Sequence, residues 1–135
     1  ALDGVPPTLP GLLKAQRTQE KAARVGFDWK DANGPMAKMR EELGELEAAI
    51  AARVSKKPSD SEAVKDELGD VLFSACNLAR HLGVDAESAL EGATAKFTRR
   101  FRTVEQAAKS QGRDLKAMSL DEMDALWNAA KKETE

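Results

Sequence analysis

The chain has 135 residues, 41% of them hydrophobic and 33% charged, and a formal net charge of −2. That composition suits one globular, soluble domain with a core of its own and excludes a disordered chain. The near-balanced charge argues against bulk binding to nucleic acid, no apolar run approaches the ~20 residues of a membrane span, and no basic segment followed by an apolar one opens the chain as a secretory leader would.

Residues 1–9 contain Asp3-Gly4-Val5-Pro6-Pro7 and read as a linker or extended segment, leaving 10–135 as a single helical domain. Strand signals are scarce: there is no Tyr and no sustained period-2 alternation. A first helix is predicted from near Pro10 to about Val25, with Gly26 just past its end. The loop Gly26-Phe27-Asp28-Trp29-Lys30-Asp31 leads to Asn33-Gly34-Pro35, a helix-start signal. The second helix should run from about Pro35 to about Val54 with an apolar stripe of Met36, Met39, Leu43, Leu46 and Ile50. Lys56-Lys57-Pro58 ends it, and Ser59 with Glu62 reads as a capping box for the third helix.

The third helix carries Val64, Leu68, Val71, Leu72, Ala75, Leu78, Ala79 and Leu82 on its buried side and stops at Gly83. Asp85 caps a fourth, whose stripe is Ala86, Leu90, Ala93, Phe97, Phe101, Val104 and Ala108, ending near Gly112. Ser119 with Glu122 is a second capping box and opens a last helix with Met123, Leu126 and Trp127. Five helices with short connections imply an all-α helical bundle with a four-helix core. Stripes this long for one small domain also point to a homodimer. The single cysteine, Cys76, cannot form an intramolecular disulfide, which fits a reducing cytoplasm, and its apolar helix makes it a core residue.

Two stretches are near copies: Glu41-Glu42-Leu43-Gly44-Glu45-Leu46 and Asp66-Glu67-Leu68-Gly69-Asp70-Val71. At about 100° per residue, Glu42 and Glu45 share a helix face, as do Glu67 and Asp70. On the second helix Lys38, Glu42 and Glu45 lie together on one flank of the apolar stripe. On the third, Glu67, Asp70, Ser74 and Asn77 occupy the flank of the same hand, and on the fourth Lys96 and Arg100 take the corresponding place. Taken alone, Glu-Glu-x-x-Glu suits a solvated face as well as a ligand set, since such acids repel by only about 0.2–0.5 kcal/mol per pair. Gly44 and Gly69 each cost about 1 kcal/mol against Ala in a helix interior. Two such costs at equivalent places suggest close approach of helix backbones.

Four carboxylates without a thiolate suit a hard divalent cation, Mg²⁺ or Mn²⁺. The only histidine, His81, is not three residues after any Glu, which disfavours a di-iron centre and leaves a helix-end role. Lys96 and Arg100, in Lys96-Phe97-Thr98-Arg99-Arg100-Phe101-Arg102, suit phosphate capture, while Arg99 and Arg102 point elsewhere on the wheel. No Walker A or Gly-x-Gly-x-x-Gly motif is present, so phosphates would be held by metal and side chains. The two tryptophans, Trp29 and Trp127, are read as packing residues before stacking platforms.

The acid words, Glu41-Glu42-Leu43-Gly44-Glu45 and Glu67-Leu68-Gly69-Asp70, resemble the Glu-Glu-x-x-Glu, spacer, Glu-x-x-Asp motif of the MazG-type all-α nucleoside triphosphate pyrophosphohydrolases. So do Leu2-Asp3-Gly4-Val5-Pro6, Val25-Gly26-Phe27-Asp28-Trp29, Asn77-Leu78-Ala79-Arg80-His81-Leu82 and Lys96-Phe97-Thr98-Arg99-Arg100-Phe101, in particular to the C-terminal, active domain of two-domain bacterial members. The resemblance implies a cytoplasmic homodimer that hydrolyses nucleoside triphosphates to monophosphate and diphosphate with Mg²⁺ (Mn²⁺ as substitute), a nucleotide-pool housecleaning enzyme. It implies Glu42, Glu45, Glu67 and Asp70 as metal ligands, and Lys38, Lys96, Arg100 and Trp127 as nucleotide contacts, to which the flank position adds Asn77. The expected step is attack of metal-activated water on the α-phosphorus, with Glu41 or Glu45 taking the proton. The alternatives are a narrower dUTPase-like enzyme and a non-catalytic helical module that binds nucleotide or a partner protein.

Overall fold

The computed structural model describes residues 1–53 and 58–133. Among them there are five α-helices, a 3₁₀ turn at Leu115–Ala117, and no strand. The helices are α1 (Gly11–Arg24), α2 (Asn33–Ala52), α3 (Pro58–His81), α4 (Ala86–Ser110) and α5 (Leu120–Glu133), so the expected all-α class holds. Contacts divide the chain into two units, Ala1–Ala89 and Leu90–Glu135.

Most helix ends lie where the sequence signals place them. The chain leaves α1 through Gly26, whose φ of +94° only glycine adopts without strain. There Gly26 N–H donates to the Ala23 carbonyl and Phe27 N–H to the Ala22 carbonyl, so two otherwise orphaned carbonyls of the last turn are satisfied. Gly83 repeats the device after α3, with its own N–H donating to Arg80 and that of Val84 to Ala79. The Ser119–Glu122 box is formed in both directions: Glu122 N–H donates to Ser119 Oγ, and Ser119 N–H to Glu122 Oε1, both at 3.2 Å. Helix α2 begins at Asn33, two residues before the expected start, and ends at Ala52. The Lys56-Lys57 stop and the Ser59 side-chain cap lie outside the described residues and side chains.

In the first unit α3 is the central element, with α2 packed along it and α1 on another side. Two buried glutamines do the work expected of apolar residues on α1. Gln16 Nε2 donates to the Val84 carbonyl at 2.9 Å while its Oε1 accepts from Ala86 N–H at 2.9 Å, capping α4 from α1. Glu87, in the first turn of α4, accepts from Leu13 N–H in the first turn of α1. Each helix start thus satisfies orphan donors of the other. Gln19 Nε2 donates to the Phe73 carbonyl of α3 at 2.8 Å. Cys76 is fully buried on α3, as expected, and that burial raises its thiol pKa.

The apolar stripes are only half used. On α2 the buried side is Pro35, Glu42 and the partly covered Met39, Leu46 and Ala49, whereas Met36, Leu43 and Ile50 are exposed. Among the described residues the 36/43/50 half of the stripe stays largely open, because α2 turns its acidic flank towards α3. Leu68 and Leu72 on α3, Leu82 just past its end, and Leu90, Phe97 and Phe101 on α4 are exposed as well. The close backbone approach expected at Gly44 and Gly69 is not found: a Cβ at either would meet nothing within 4 Å. Both glycines lie on outward-turned, exposed positions of their helices.

In the second unit Val104, Ala108, Met118 and Ala130 are buried. Phe97 stacks on Phe101 with centroids 5.9 Å apart and meets Trp127 at 5.3 Å. Arg113 pairs with Glu122, which joins the end of α4 to the start of α5.

Candidate metal centre and adjoining cavity

Packing α2 along α3 sets the two acid words against each other. Glu42, Glu67 and Asp70 each place a carboxylate oxygen within 4.8 Å of the others, a group that could hold one ion. Glu42 is a buried acid, 6% exposed, in a helix whose neighbouring positions are mostly exposed. Glu42 Oε2 and Glu67 Oε2 are buried and have no hydrogen-bond partner. Burial first, then the charges of Glu45, Asp70, Glu42 and Asp66, push the Glu67 carboxyl above its ordinary range. Several anions with orphaned oxygens facing one another are costly unless a cation joins them. This donor set, oxygen only and multiply anionic, fits Mg²⁺ or a similar hard cation.

Glu45 stands outside the three-acid group, although its charge is the first of those acting on Glu67. Glu41 is exposed and faces Lys38, 3.4 Å from Nζ. Lys38 also reaches Glu42 Oε1 at 3.1 Å, and this bond, followed by that to Glu41, holds the ammonium pKa above its ordinary value.

Lys38 borders a second feature. A cavity of about 590 Å³ opens in the first unit between α1, the α1–α2 loop and α3, lined among others by Gln19, Phe27, Trp29, Phe73, Ser74 and Asn77. Ser74, buried, follows Asp70 by one turn of α3, so acids and cavity are continuous along both α2 and α3. Of the predicted contacts, Lys38 thus lies beside the acids and Asn77 lines the cavity further along α3. Lys96, Arg100 and Trp127 belong to the second unit, where Trp127 is partly covered by Phe97.

The loop that forms the cavity wall is fastened by Asp28 and Arg80, which the sequence names only within family-like segments and without a role in a site. Asp28 accepts from Arg80 through Nη2 at 2.5 Å and Nη1 at 3.1 Å, and lies 2.8 Å from His81 Nε2. The Arg80 bonds hold the Asp28 carboxyl well below the usual carboxylate range. Gly34 lets the Trp29 ring rest on the first turn of α2, since a Cβ there would stand 2.5 Å from Trp29 Cε3.

Residues 32–105 match the family of MazG nucleotide pyrophosphohydrolase domains, more than half of the chain. The chain belongs to the MazG family. Among its relatives, the nucleoside triphosphate pyrophosphohydrolase of Escherichia coli K12 is 38% identical over 133 residues, covering 98% of this chain and 49% of that protein. The nucleoside triphosphate pyrophosphohydrolase/pyrophosphatase MazG of Thermotoga maritima is 42% identical over 125 residues, 93% of this chain and 46% of that protein. YabN of Bacillus subtilis, an uncharacterised protein, is 46% identical over 134 residues, 99% of this chain and 26% of its own length. This MazG chain therefore spans about half the length of the first two relatives and a quarter of the third. The match begins just before α2 and ends in α4, so it contains the acid cluster.

Proposed function

We propose that this MazG domain is a Mg²⁺-dependent nucleoside triphosphate pyrophosphohydrolase that cleaves NTP or dNTP to monophosphate and diphosphate. The observation that carries the reading is the convergence of Glu42, Glu67 and Asp70, with two buried orphan oxygens, at the edge of a cavity large enough for a small ligand. The names of the Escherichia coli and Thermotoga maritima relatives support the same activity. Glu42, Glu67 and Asp70 would hold the ion, with Glu45 next to them. A divalent cation bound there supplies positive charge for the phosphate oxygens and lowers the pKa of water.

The protein's own groups divide the remaining work. Lys38, fixed by Glu42, is a cation at the border of acids and cavity, placed for a phosphate oxygen. Asn77 offers a neutral amide further along the cavity wall. Lys96 and Arg100 are proposed as further phosphate contacts and Trp127 as a nucleoside contact, on the family resemblance. Glu45, adjacent to Glu67 yet outside the three-acid group, is the better proton acceptor, because Glu41 is drawn towards Lys38.

The exposed Leu43 and Ile50 of α2, with Leu68 and Leu72 of α3, support a homodimer that covers them; sedimentation of the chain would test this. No helix among the described residues is long and apolar enough to cross a membrane, and the single buried thiol suits a cytoplasmic enzyme. We further propose that 10–135 acts as one domain preceded by a linker, and that in a longer parent chain it is the active half.

The test is pyrophosphate release from a panel of NTPs and dNTPs at varied Mg²⁺. Turnover across several bases is expected. Strict preference for dUTP would favour a dUTPase, and nucleotide binding without turnover in Mg²⁺ or Mn²⁺ would favour a binding module.

A further inference from the structure

Glu42 is claimed from two sides. Its Oε1 accepts from Lys38 Nζ at 3.1 Å, one helical turn back along α2. The same carboxylate belongs to the three-acid group with Glu67 and Asp70, and its Oε2 is buried with no hydrogen-bond partner. The Glu42 side chain is only 8% exposed, so water serves its charge poorly and a touching cation matters. Lys38 is placed differently. Its side chain is 42% exposed on a long, flexible stem, so its ammonium can leave the acid at little cost. An ammonium carries three donors and no acceptor. A second donor of Lys38 faces Glu41 Oε1 at 3.4 Å. Glu41 is exposed and lies outside the three-acid group, so that contact can persist when the one to Glu42 is broken.

A divalent cation held by Glu42, Glu67 and Asp70 would stand a few ångströms from an ammonium on the same carboxylate. The two positive charges repel, and the cation that draws on three carboxylates prevails over the one that draws on a single buried acid. We propose that Lys38 is a built-in competitor for the metal centre: it neutralises Glu42 in the absence of a divalent cation and gives Glu42 up when one binds, while Glu41 keeps it at the border of the cavity. The inference rests on the metal reading above and adds an order of events. Lys38 is free to take a phosphate oxygen only once the cation is in place, so the metal primes the protein for the anion. Glu41 thereby gains a task as a positioning residue that acts through Lys38.

The test titrates Mg²⁺ alone, without nucleotide, into the full chain at constant ionic strength, read by calorimetry. Lys38→Met keeps an apolar stem and removes the competitor, so Mg²⁺ should bind about 10-fold tighter, the scale of one unit charge a few ångströms from a divalent ion in a water-screened site. Lys38→Arg keeps the charge and can grip a carboxylate at two points, so its Mg²⁺ affinity should equal or fall below that of the parent. A second readout follows the ammonium itself. In protein made with ¹³C,¹⁵N-lysine, the Lys38 side-chain signal is identified by its loss in Lys38→Met. It should move towards the position of solvated lysines as Mg²⁺ saturates the site, and Glu42→Gln should move it the same way with no Mg²⁺ added. A role confined to gripping substrate would move neither readout.

Mg²⁺ affinity unchanged or weakened in Lys38→Met, or a Lys38 signal indifferent to saturating Mg²⁺, overturns the competition and leaves the metal centre standing. A parent that binds no Mg²⁺ removes both. If the competition is seen and no NTP is cleaved, Lys38 keeps this role and the pyrophosphohydrolase reading falls.

Discussion

Gly34→Ala is a small change with a calculable consequence. The new methyl would lie 2.5, 2.6 and 2.9 Å from Cε3, Cδ2 and Cγ of Trp29, where ordinary contacts begin near 3.4 Å. The indole is rigid and its loop is anchored through Asp28 to Arg80, so the ring must swing outward by roughly 1 Å, against an overpacking cost of about 1–3 kcal/mol. Replacing Gly by Ala in a helix returns up to about 1 kcal/mol. The net loss should be about 0–2 kcal/mol, with a Tm decrease of up to about 7 °C. In a Trp29→Ala background the same substitution should be neutral or stabilising, since the clash is gone. Urea unfolding of the four proteins in this double-mutant cycle, with the Trp29 indole resonance as reporter, checks the account. A stabilised Gly34→Ala protein with an unmoved indole signal would show that the ring does not rest on Gly34.

Other outcomes follow from neighbouring contacts. Gln16→Leu removes the partner of the Val84 carbonyl and Ala86 N–H, and should cost about 1–3 kcal/mol for each group left buried and unpaired, read by urea unfolding. Arg113, then the Ser119 contacts, lower the Glu122 carboxyl from its ordinary 4.5 to about 2. The stabilisation from that pair is therefore complete above about pH 4.5 and fades as pH falls towards about 2, so Tm of Glu122→Gln should decline less over this window than that of the parent. Mg²⁺ at a hundredfold its Kd should stabilise the parent by about 2.7 kcal/mol in thermal unfolding. Glu67→Gln, lacking one of the three carboxylates, should lose that increment.

What could be read from the sequence was local. The Gly26 and Gly83 stops and the Ser119–Glu122 box depend on residues within one turn of each other, and they stand where the signals put them. The three-acid group was legible for a related reason: i,i+3 spacing fixes the face of Glu67 and Asp70, and helical repetition then brings in Glu42. The rotation of α2 was not legible. Met36, Leu43 and Ile50 form as good a stripe as Met39 and Leu46, and only the packing against α3 decides which half is covered. Gly44 and Gly69 misled because a cost in propensity does not say which neighbour, if any, it serves. The Asp28–Arg80 pair spans 52 residues and leaves no periodic trace. Gln16 and Gln19 did leave one, as amides three apart on the covered face of α1.

The central claim is that the facing acids of α2 and α3 carry metal-dependent cleavage between the α- and β-phosphates. ³¹P NMR of ATP turnover with Mg²⁺ in ¹⁸O-labelled water tests it most directly, comparing the parent with Asp70→Asn, a substitution at an exposed position that leaves the core intact. The account predicts diphosphate and an ¹⁸O-labelled AMP from the parent and no turnover from the folded variant. Label in the diphosphate, or undiminished turnover by Asp70→Asn, would contradict it.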